Sequence, residues 1–162
     1  MKPLFPLLLV LALSAGAAHA QGNTATLSQE GSDHQATVTQ TGGPGNEATV
    51  TQVGDHGVVL LGQFGAGNQA ELSSIPGAGY GGSHNSILLM QSGGAEATVN
   101  QTGSHNTVWG LAPGTQAGSL DGSVLDVTQV GYGNTLWLDQ HNGAAATVIQ
   151  LGIGNTATII QH

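Results

Sequence analysis

The sequence predicts an all-β protein, a flattened β-solenoid of about six two-stranded rungs with cross-β, amyloid-like stacking. Three observations support this fold class. A seven-residue unit with alternating apolar positions occurs twelve times, glycine-rich segments of mostly three to five residues separate the units, and Asn and Gln return at fixed positions within them. Internal repetition of this kind is typical of solenoid architectures.

The repeated unit is Asn-x-Ala-x-Val-x-Gln, as in Asn46–Gln52. Alternation with a period of two predicts a strand whose first, third, fifth and seventh slots all point to one side. Gln fills the seventh slot in ten units and Asn fills the first slot in seven. The units span 23–29, 34–40, 46–52, 57–63, 68–74, 85–91, 95–101, 106–112, 123–129, 134–140, 144–150 and 155–161.

The segments between the units are rich in glycine and therefore predict turns. A strand and its turn form one arm of the coil, and two arms form a rung of about 22 residues. Two connections are longer, Ile75–His84 and Pro113–Gly122, and we expect both to be surface loops. Asn68 and Asn85 both begin consecutive units, which interrupts an otherwise regular alternation of first slots.

The recurring amides predict ladders along the stack. A buried Asn or Gln needs partners for both its C=O and its NH2, and an identical residue one rung away supplies both. Without such partners, polar residues on the inward side would be costly. The expected ladder residues are Asn23, Gln29, Gln40, Asn46, Gln52, Gln63, Asn68, Asn85, Gln91, Gln101, Asn106, Gln129, Asn134, Gln140, Gln150, Asn155 and Gln161.

The first and last units, 23–29 and 155–161, both carry the repeat, and no helix, proline or charged segment is predicted to cap them. Solenoids usually cover their terminal rungs, because an open rung is a template for further pairing. A head-to-tail contact between such ends does not close and produces a filament. The sequence therefore predicts self-assembly.

Residues 1–20 are predicted to be a secretory signal peptide, and residues 21–162 a single solenoid domain. Lys2 is followed by an apolar run, Leu4–Leu13, and by a small-x-small cleavage site, Ala18-His19-Ala20. The apolar run is too short for a membrane span. We therefore expect an exported protein that is not inserted into a membrane.

The charge pattern excludes several partners. The one basic side chain is Lys2, whereas nine acidic residues follow it. A chain without cations cannot neutralise phosphates or anionic lipids, which argues against nucleic-acid and membrane partners. The absence of Cys excludes a disulfide scaffold. Four acids on strands are predicted gatekeepers that slow premature stacking: Glu47, Glu71, Asp126 and Asp139.

Other functions are less favoured by the pattern. The sequence contains no nucleophile elbow or phosphate loop, so we expect neither an enzyme nor a cofactor. Histidines such as His34, His56, His84 and His105 recur, but their spacing does not resemble a zinc site, so we expect hydrogen-bonding turn residues and no metal.

Two sets of outward residues leave alternatives open. A flat ladder of Thr-x-Thr pairs on a solenoid could bind ice without polymerising. The pairs are Thr24/Thr26, Thr37/Thr39, Thr49/Thr51 and Thr156/Thr158. The outward apolar residues could join protofibrils or could be isolated exposed side chains. They include Leu88, Met90, Trp109 and Ile160.

The repeat, followed by x-Gly-x-Gly-Asn, resembles the curlin repeat of curli fibres, and the stretch from Asp126 to Asn134 is especially similar to the major subunit. The resemblance implies an extracellular functional amyloid that supports biofilm matrix and surface adhesion. It also implies three partners: further copies of the chain, a minor nucleator subunit and an outer-membrane secretion apparatus.

Overall fold

The computed structural model describes residues 8–13, 22–77, 84–110, 117–119 and 122–162, and these form fourteen β-strands and no helix. No helix long and apolar enough to cross a membrane is found in these ranges. The strands are β1 Leu8–Leu13, β2 Thr24–Ser32, β3 Gln35–Gly42, β4 Glu47–Asp55, β5 Val58–Gly65, β6 Gln69–Ile75, β7 Ser86–Ser92, β8 Glu96–Ser104, β9 Thr107–Trp109, β10 Ala117–Ser119, β11 Val124–Tyr132, β12 Thr135–Gln140, β13 Ala145–Ile153 and β14 Thr156–Gln161.

The strands alternate between two parallel sheets, which confirms the predicted β-solenoid. Sheet I has six strands in the order β2-β4-β6-β8-β11-β13. Sheet II has eight strands: β1, β3, β5 and β7 lead to β12 and β14, and the short strands β9 and β10 both lie between β7 and β12. Each strand of sheet I and the next arm in sheet II form one rung, so the chain builds six rungs, numbered here from the N-terminal side.

The register places equal slots of the repeat directly above one another. In sheet I, Ala48, Val50 and Gln52 of β4 lie opposite Ala25, Leu27 and Gln29 of β2. Small aliphatic side chains from the third and fifth slots of both sheets form one continuous core. Because every described rung aligns with its neighbours, the amides of the seventh slots also fall into columns.

The predicted leader is partly described. Its apolar run contributes β1, which pairs with β3 so that Leu13 lies in register with Gln40. Residues 1–7 and 14–20 of the predicted leader lie outside the described residues, and cleavage after Ala20 stays a prediction. Such cleavage would remove β1 and expose the edge of β3.

The eighth unit differs from its prediction. The repeat placed Gly110 and Ala112 in the fifth and seventh slots, but the structure places Ala117 opposite Leu89 and Ser119 opposite Gln91. Ala112 itself lies outside the described residues. The insertion therefore interrupts the arm between β9 and β10, whereas the sequence predicts a loop at 113–122, after the arm. The other long connection joins β6 to β7 as predicted, with residues 78–83 outside the described residues.

The corners before the first slots require left-handed backbone. Before sheet I the corner residue is always glycine, from Gly22 to Gly143. Before sheet II it is Asp33, a histidine in the next three rungs, then Gly133 and Gly154, all with positive φ. The three exposed histidines, His56, His84 and His105, stack with ring centroids 4.6 and 4.9 Å apart. Aspartate and histidine tolerate this conformation better than most residues.

Candidate functional site

Glutamine side chains in the seventh slots hydrogen-bond from rung to rung. In sheet II, Gln40 Nε2 donates to Gln63 Oε1 at 2.8 Å, and Gln63 Nε2 donates to Gln91 Oε1 at 3.0 Å. The donor always belongs to the rung on the N-terminal side, so the ladder has a direction. The same direction holds for the pairs Gln29–Gln52, Gln101–Gln129, Gln129–Gln150 and Gln140–Gln161.

Asparagine forms a second ladder that changes sheets in rung 3. In sheet I, Asn46 N donates to Asn23 Oδ1 and Asn68 Nδ2 donates to Asn46 Oδ1. From rung 3 the ladder continues in sheet II, where it begins with Asn85 and each later Asn donates to the Oδ1 of the Asn one rung before it. Its members there are Asn85, Asn106, Asn134 and Asn155. Rung 3 contains both Asn68 and Asn85, so it is the rung in which both sheets carry a ladder asparagine.

Histidine replaces asparagine at the start of the sheet II column. His34 is buried, its Nε2 lies 3.1 Å from Glu30 O, and its Nδ1 accepts a hydrogen bond from Gly57 N at 3.1 Å. A Cβ at position 57 would lie 2.9 Å from His34 Nδ1, so the imidazole occupies the space of the next first-slot side chain. In the sequence, His34 and Gly57 both depart from the usual first-slot Asn, but the pattern did not show that the His34 side chain fills the space above Gly57.

Serine breaks both glutamine ladders. Ser74 lies opposite Gln52 and Gln101 in sheet I, and Ser119 lies opposite Gln91 and Gln140 in sheet II. Ser74 is too short to reach the amide of the next rung. Among the described residues, Gln101 Oε1, Gln140 Oε1 and Ser74 Oγ are buried without a hydrogen-bond partner.

The two ends of the stack carry complementary groups. In rung 1, Gln29 Oε1 and Gln40 Oε1 are also buried without a partner, because no glutamine of the described chain precedes them. In rung 6, Gln150 Nε2 donates to Thr135 O at 3.1 Å and Gln161 Nε2 donates to Ala145 O at 3.4 Å. An amide nitrogen carries two hydrogens, so each keeps one donor for a further rung.

A column of glycines brings the backbones of sheet I close together after the seventh slot. A Cβ at Gly31 would lie 1.6 Å from Gly54 O, and a Cβ at Gly131 would lie 1.9 Å from Gly152 O. No side chain fits at such distances, whatever its rotamer. At Gly152, in the last rung, the nearest atom to a Cβ is Asn155 Nδ2 at 3.7 Å, so the clash is absent within a single chain and only the φ of +109° disfavours a side chain.

The four predicted gatekeepers lie on outward faces of inner rungs. Glu47, Glu71 and Asp126 are exposed on sheet I, and Asp139 lies on sheet II. None of the four is on a terminal strand, and their kinetic role stays a prediction.

Asp55 joins the first two rungs, because Ser32 Oγ donates to its carboxylate. This hydrogen bond is the main cause of the lowered pKa of Asp55, and nearby His56 and His34 lower it further.

The outward threonine pairs are divided between the two faces. Thr37 and Thr39 in sheet II lie opposite Leu60 and Gly62, so their ladder ends after one rung. Thr49 lies opposite Glu71 in sheet I. The apolar residues, by contrast, share columns of sheet II: Leu60 lies opposite Leu88, and Trp137 opposite Trp109, with the two indole rings edge to face at 5.7 Å.

A known repeat matches the first rung. Residues 19–42, which include β2 and β3, match the family model described as the curlin associated repeat. The chain carries a curlin-type repeat. The predicted resemblance is thereby confirmed over one rung and suggests a curli-type subunit, and the register extends the same slots through the other five rungs. No curated protein and no solved structure shows significant similarity to the chain.

Proposed function

We propose that this protein is a structural subunit of extracellular curli-type amyloid fibres, in which copies stack head to tail. The observation that carries the proposal is the complementarity of the two ends. Two buried acceptors in rung 1 lie in the same columns as two donors in rung 6. Each acceptor would gain one hydrogen bond from the neighbouring copy, worth about 0.5–1.5 kcal/mol per bond.

The proposed junction continues the rungs in order. The next copy places its β2 on β13 and its β3 on β14, so that Gln150 donates to Gln29 and Gln161 donates to Gln40 of that copy. This requires the edge of β3 to be free of β1, which the predicted cleavage after Ala20 would achieve.

The asparagine ladder is compatible with this junction. Asn155 Oδ1 would accept the backbone N–H of His34 from the next copy. An equivalent bond already occurs inside the chain, where Asn68 Oδ1 accepts from Ala95 N at 3.0 Å. The change of ladder at rung 3 therefore provides an internal precedent for the change that the junction requires.

The setting follows from the curlin-type repeat. We propose that the chain is secreted through the periplasm to the cell surface, with an outer-membrane secretion apparatus and a minor nucleator subunit as partners, and that its fibres serve biofilm matrix and adhesion. We propose a structural rather than a catalytic role, because the polar side chains in the interior are mostly neutral amides. The nine acids of the chain disfavour nucleic acid as a partner.

Ice binding is less well supported as an alternative. A flat ice-binding face would need threonines in register over several rungs. Here Thr37 meets Leu60 and Thr49 meets Glu71, so neither face offers such a ladder.

The proposal is tested by diluting residues 21–162 from denaturant into buffer without additives. We expect fibres that form spontaneously and diffract near 4.8 and 10 Å, the spacings of strands and of sheets. Addition of preformed fibres should abolish the lag, because each end is a template.

A soluble, monomeric, β-rich protein that never forms fibres would contradict the proposed function. An ice-growth assay on that soluble protein would then test the alternative.

A further inference from the structure

Three ligand-type side chains meet at the ends of β12 and β14. Asp139 Oδ1 lies 2.9 Å from His141 Nε2, and the rings of His141 and His162 stack with centroids 5.3 Å apart. One potential ligand atom from each residue lies within 4.8 Å of those of the other two. Sequence spacing did not reveal this group, because His141 and His162 belong to different rungs.

The register of the solenoid holds the group together. Gln140 pairs with Gln161, and His141 N donates to Gln161 O at 2.8 Å, so His141 and His162 follow paired residues. Asp139 and His141 flank Gln140 and therefore share the outward face of the arm. Asp139 and His141 are about 28–29% exposed, whereas His162 is exposed.

We propose that Asp139, His141 and His162 form a binding site for a borderline divalent transition metal of the Zn²⁺ type. Two imidazoles with one carboxylate suit Zn²⁺, Ni²⁺ or Cu²⁺ better than Ca²⁺ or Mg²⁺, which prefer oxygen ligands. Two donors 2.9 Å apart can both reach one Zn²⁺, because its bonds to His nitrogen and carboxylate oxygen are about 2.0–2.2 Å long. Rotation of His162 supplies the third ligand.

The charge of the chain favours a cation at this place. The formal net charge is −8, and the single basic side chain, Lys2, lies in the predicted leader. The stacked column of His56, His84 and His105 does not form an equivalent group: in the described residues, Asp139, His141 and His162 are the one set of three ligands that converges. All three come from one chain, so the site does not depend on fibre assembly.

The test is equilibrium dialysis of the full 162-residue chain against Zn²⁺, with bound metal measured by atomic emission. We expect about one tightly bound Zn²⁺ per chain, displaced by Ni²⁺ and not by excess Ca²⁺. His162→Ala and Asp139→Asn should each weaken binding at least tenfold, since loss even of an outer partner of a ligand costs about 10–100-fold. Bound Co²⁺ should give visible absorption that changes in both variants.

His84→Asn is the matched control, because it also removes one exposed imidazole and asparagine tolerates the left-handed backbone there. It should bind Zn²⁺ like the parent chain, and circular dichroism should show that all three variants retain the same β-structure. Equal Zn²⁺ affinity in His162→Ala and His84→Asn would overturn the proposal, as would displacement of Zn²⁺ by Ca²⁺.

Discussion

Rungs 5 and 6 share one backbone arrangement and one register but differ in how well they are packed. In rung 5, Leu136 and Leu138 are completely buried, whereas their equivalents in rung 6, Ala157 and Ile159, are only partly covered. On the outward side, Ile149 of rung 6 is 66% exposed. The comparison teaches that a rung depends on both neighbouring rungs, each of which covers one side of it and pairs with one edge of its strands. Rung 6 has the structure of an interior rung but has a neighbour on one side only within the described chain.

The largest expected effect comes from placing the same methyl group in the two rungs. Gly131→Ala should prevent the native fold, because its Cβ would lie 1.9 Å from Gly152 O. Gly152→Ala leaves room within the chain, but in a fibre its Cβ would meet Gly31 O of the next copy in the same way. We expect Gly152→Ala to retain β-structure and to elongate parent seeds about a hundredfold more slowly, which corresponds to about 3 kcal/mol.

Gly154→Ala controls for backbone strain in that experiment. Gly154 also has positive φ, and a Cβ there meets nothing within 4 Å. Thioflavin fluorescence during seeded growth measures both variants. If Gly152→Ala and Gly154→Ala elongate at the same rate, the head-to-tail register is wrong.

The next effect concerns the packing of rungs 1 and 2. Gly57→Ala places a methyl group 2.9 Å from His34 Nδ1 and Gln52 Nε2, and overpacking of this kind costs about 1–3 kcal/mol. The guanidinium midpoint of unfolding should fall accordingly. The double variant His34→Asn with Gly57→Asn should recover the loss, because it extends the ladder found at Asn106 and Asn134. Failure of that rescue would show that His34 does not act as a ladder residue.

A smaller, stabilising effect is expected at the break in sheet I. Ser74→Gln should supply a partner for Gln101 Oε1 and join Gln52 to the ladder, with a gain of about 1 kcal/mol per hydrogen bond. The unfolding midpoint should therefore rise. Ser74→Leu, of similar size but without an amide, should not reproduce the gain. Equal stabilisation by leucine would attribute the effect to packing alone.

The acidic residues should affect the rate of assembly more than the final structure. With nine acids and no cation beyond Lys2, copies repel one another at neutral pH. The lag before fibre growth should be shorter at about pH 4–5 than at pH 8, because a lower negative charge weakens the repulsion between copies. The triple variant Glu47→Gln, Glu71→Gln and Asp126→Asn should weaken this dependence. Identical lag times at both pH values would remove the gatekeeper role.

The smallest effect concerns Asp55. Its pKa is lowered in the folded state, chiefly by the hydrogen bond from Ser32. The stabilisation is therefore present above the ordinary pKa of 3.8 and disappears as the pH falls through the lowered value. Asp55→Asn should reduce the difference in unfolding midpoint between pH 6 and pH 2. An unchanged difference would mean that Ser32 and Asp55 do not couple the two rungs.

Much of the fold follows from the sequence because the repeat is local. Alternation with a period of two fixes which side chains point inward, and regular turns fix which slots align. This was sufficient to predict the sheets, the core and the glutamine columns. It failed in the eighth unit, because Ala117 and Ser119 differ from the usual fifth and seventh residues, and only pairing with Leu89 and Gln91 identifies their slots.

The functional details that the sequence missed all depend on contacts between rungs. His34 acts as a ladder residue because its Nδ1 faces Gly57 N, a relation that the spacing of histidines does not contain. Likewise, His141 and His162 meet because β12 and β14 pair in one particular register. The unpaired oxygens of Gln29 and Gln40 also become apparent only when the direction of the glutamine ladder is known.

The most direct test of the central claim is the axial repeat of the fibres, measured by electron cryomicroscopy. Six rungs about 4.8 Å apart predict one subunit every 29 Å or so along the axis, with Gln150 in register with Gln29 of the next copy. A subunit spacing near that value, with unbroken parallel sheets through the junction, would support head-to-tail stacking. A different spacing, or antiparallel or lateral pairing between copies, would contradict it.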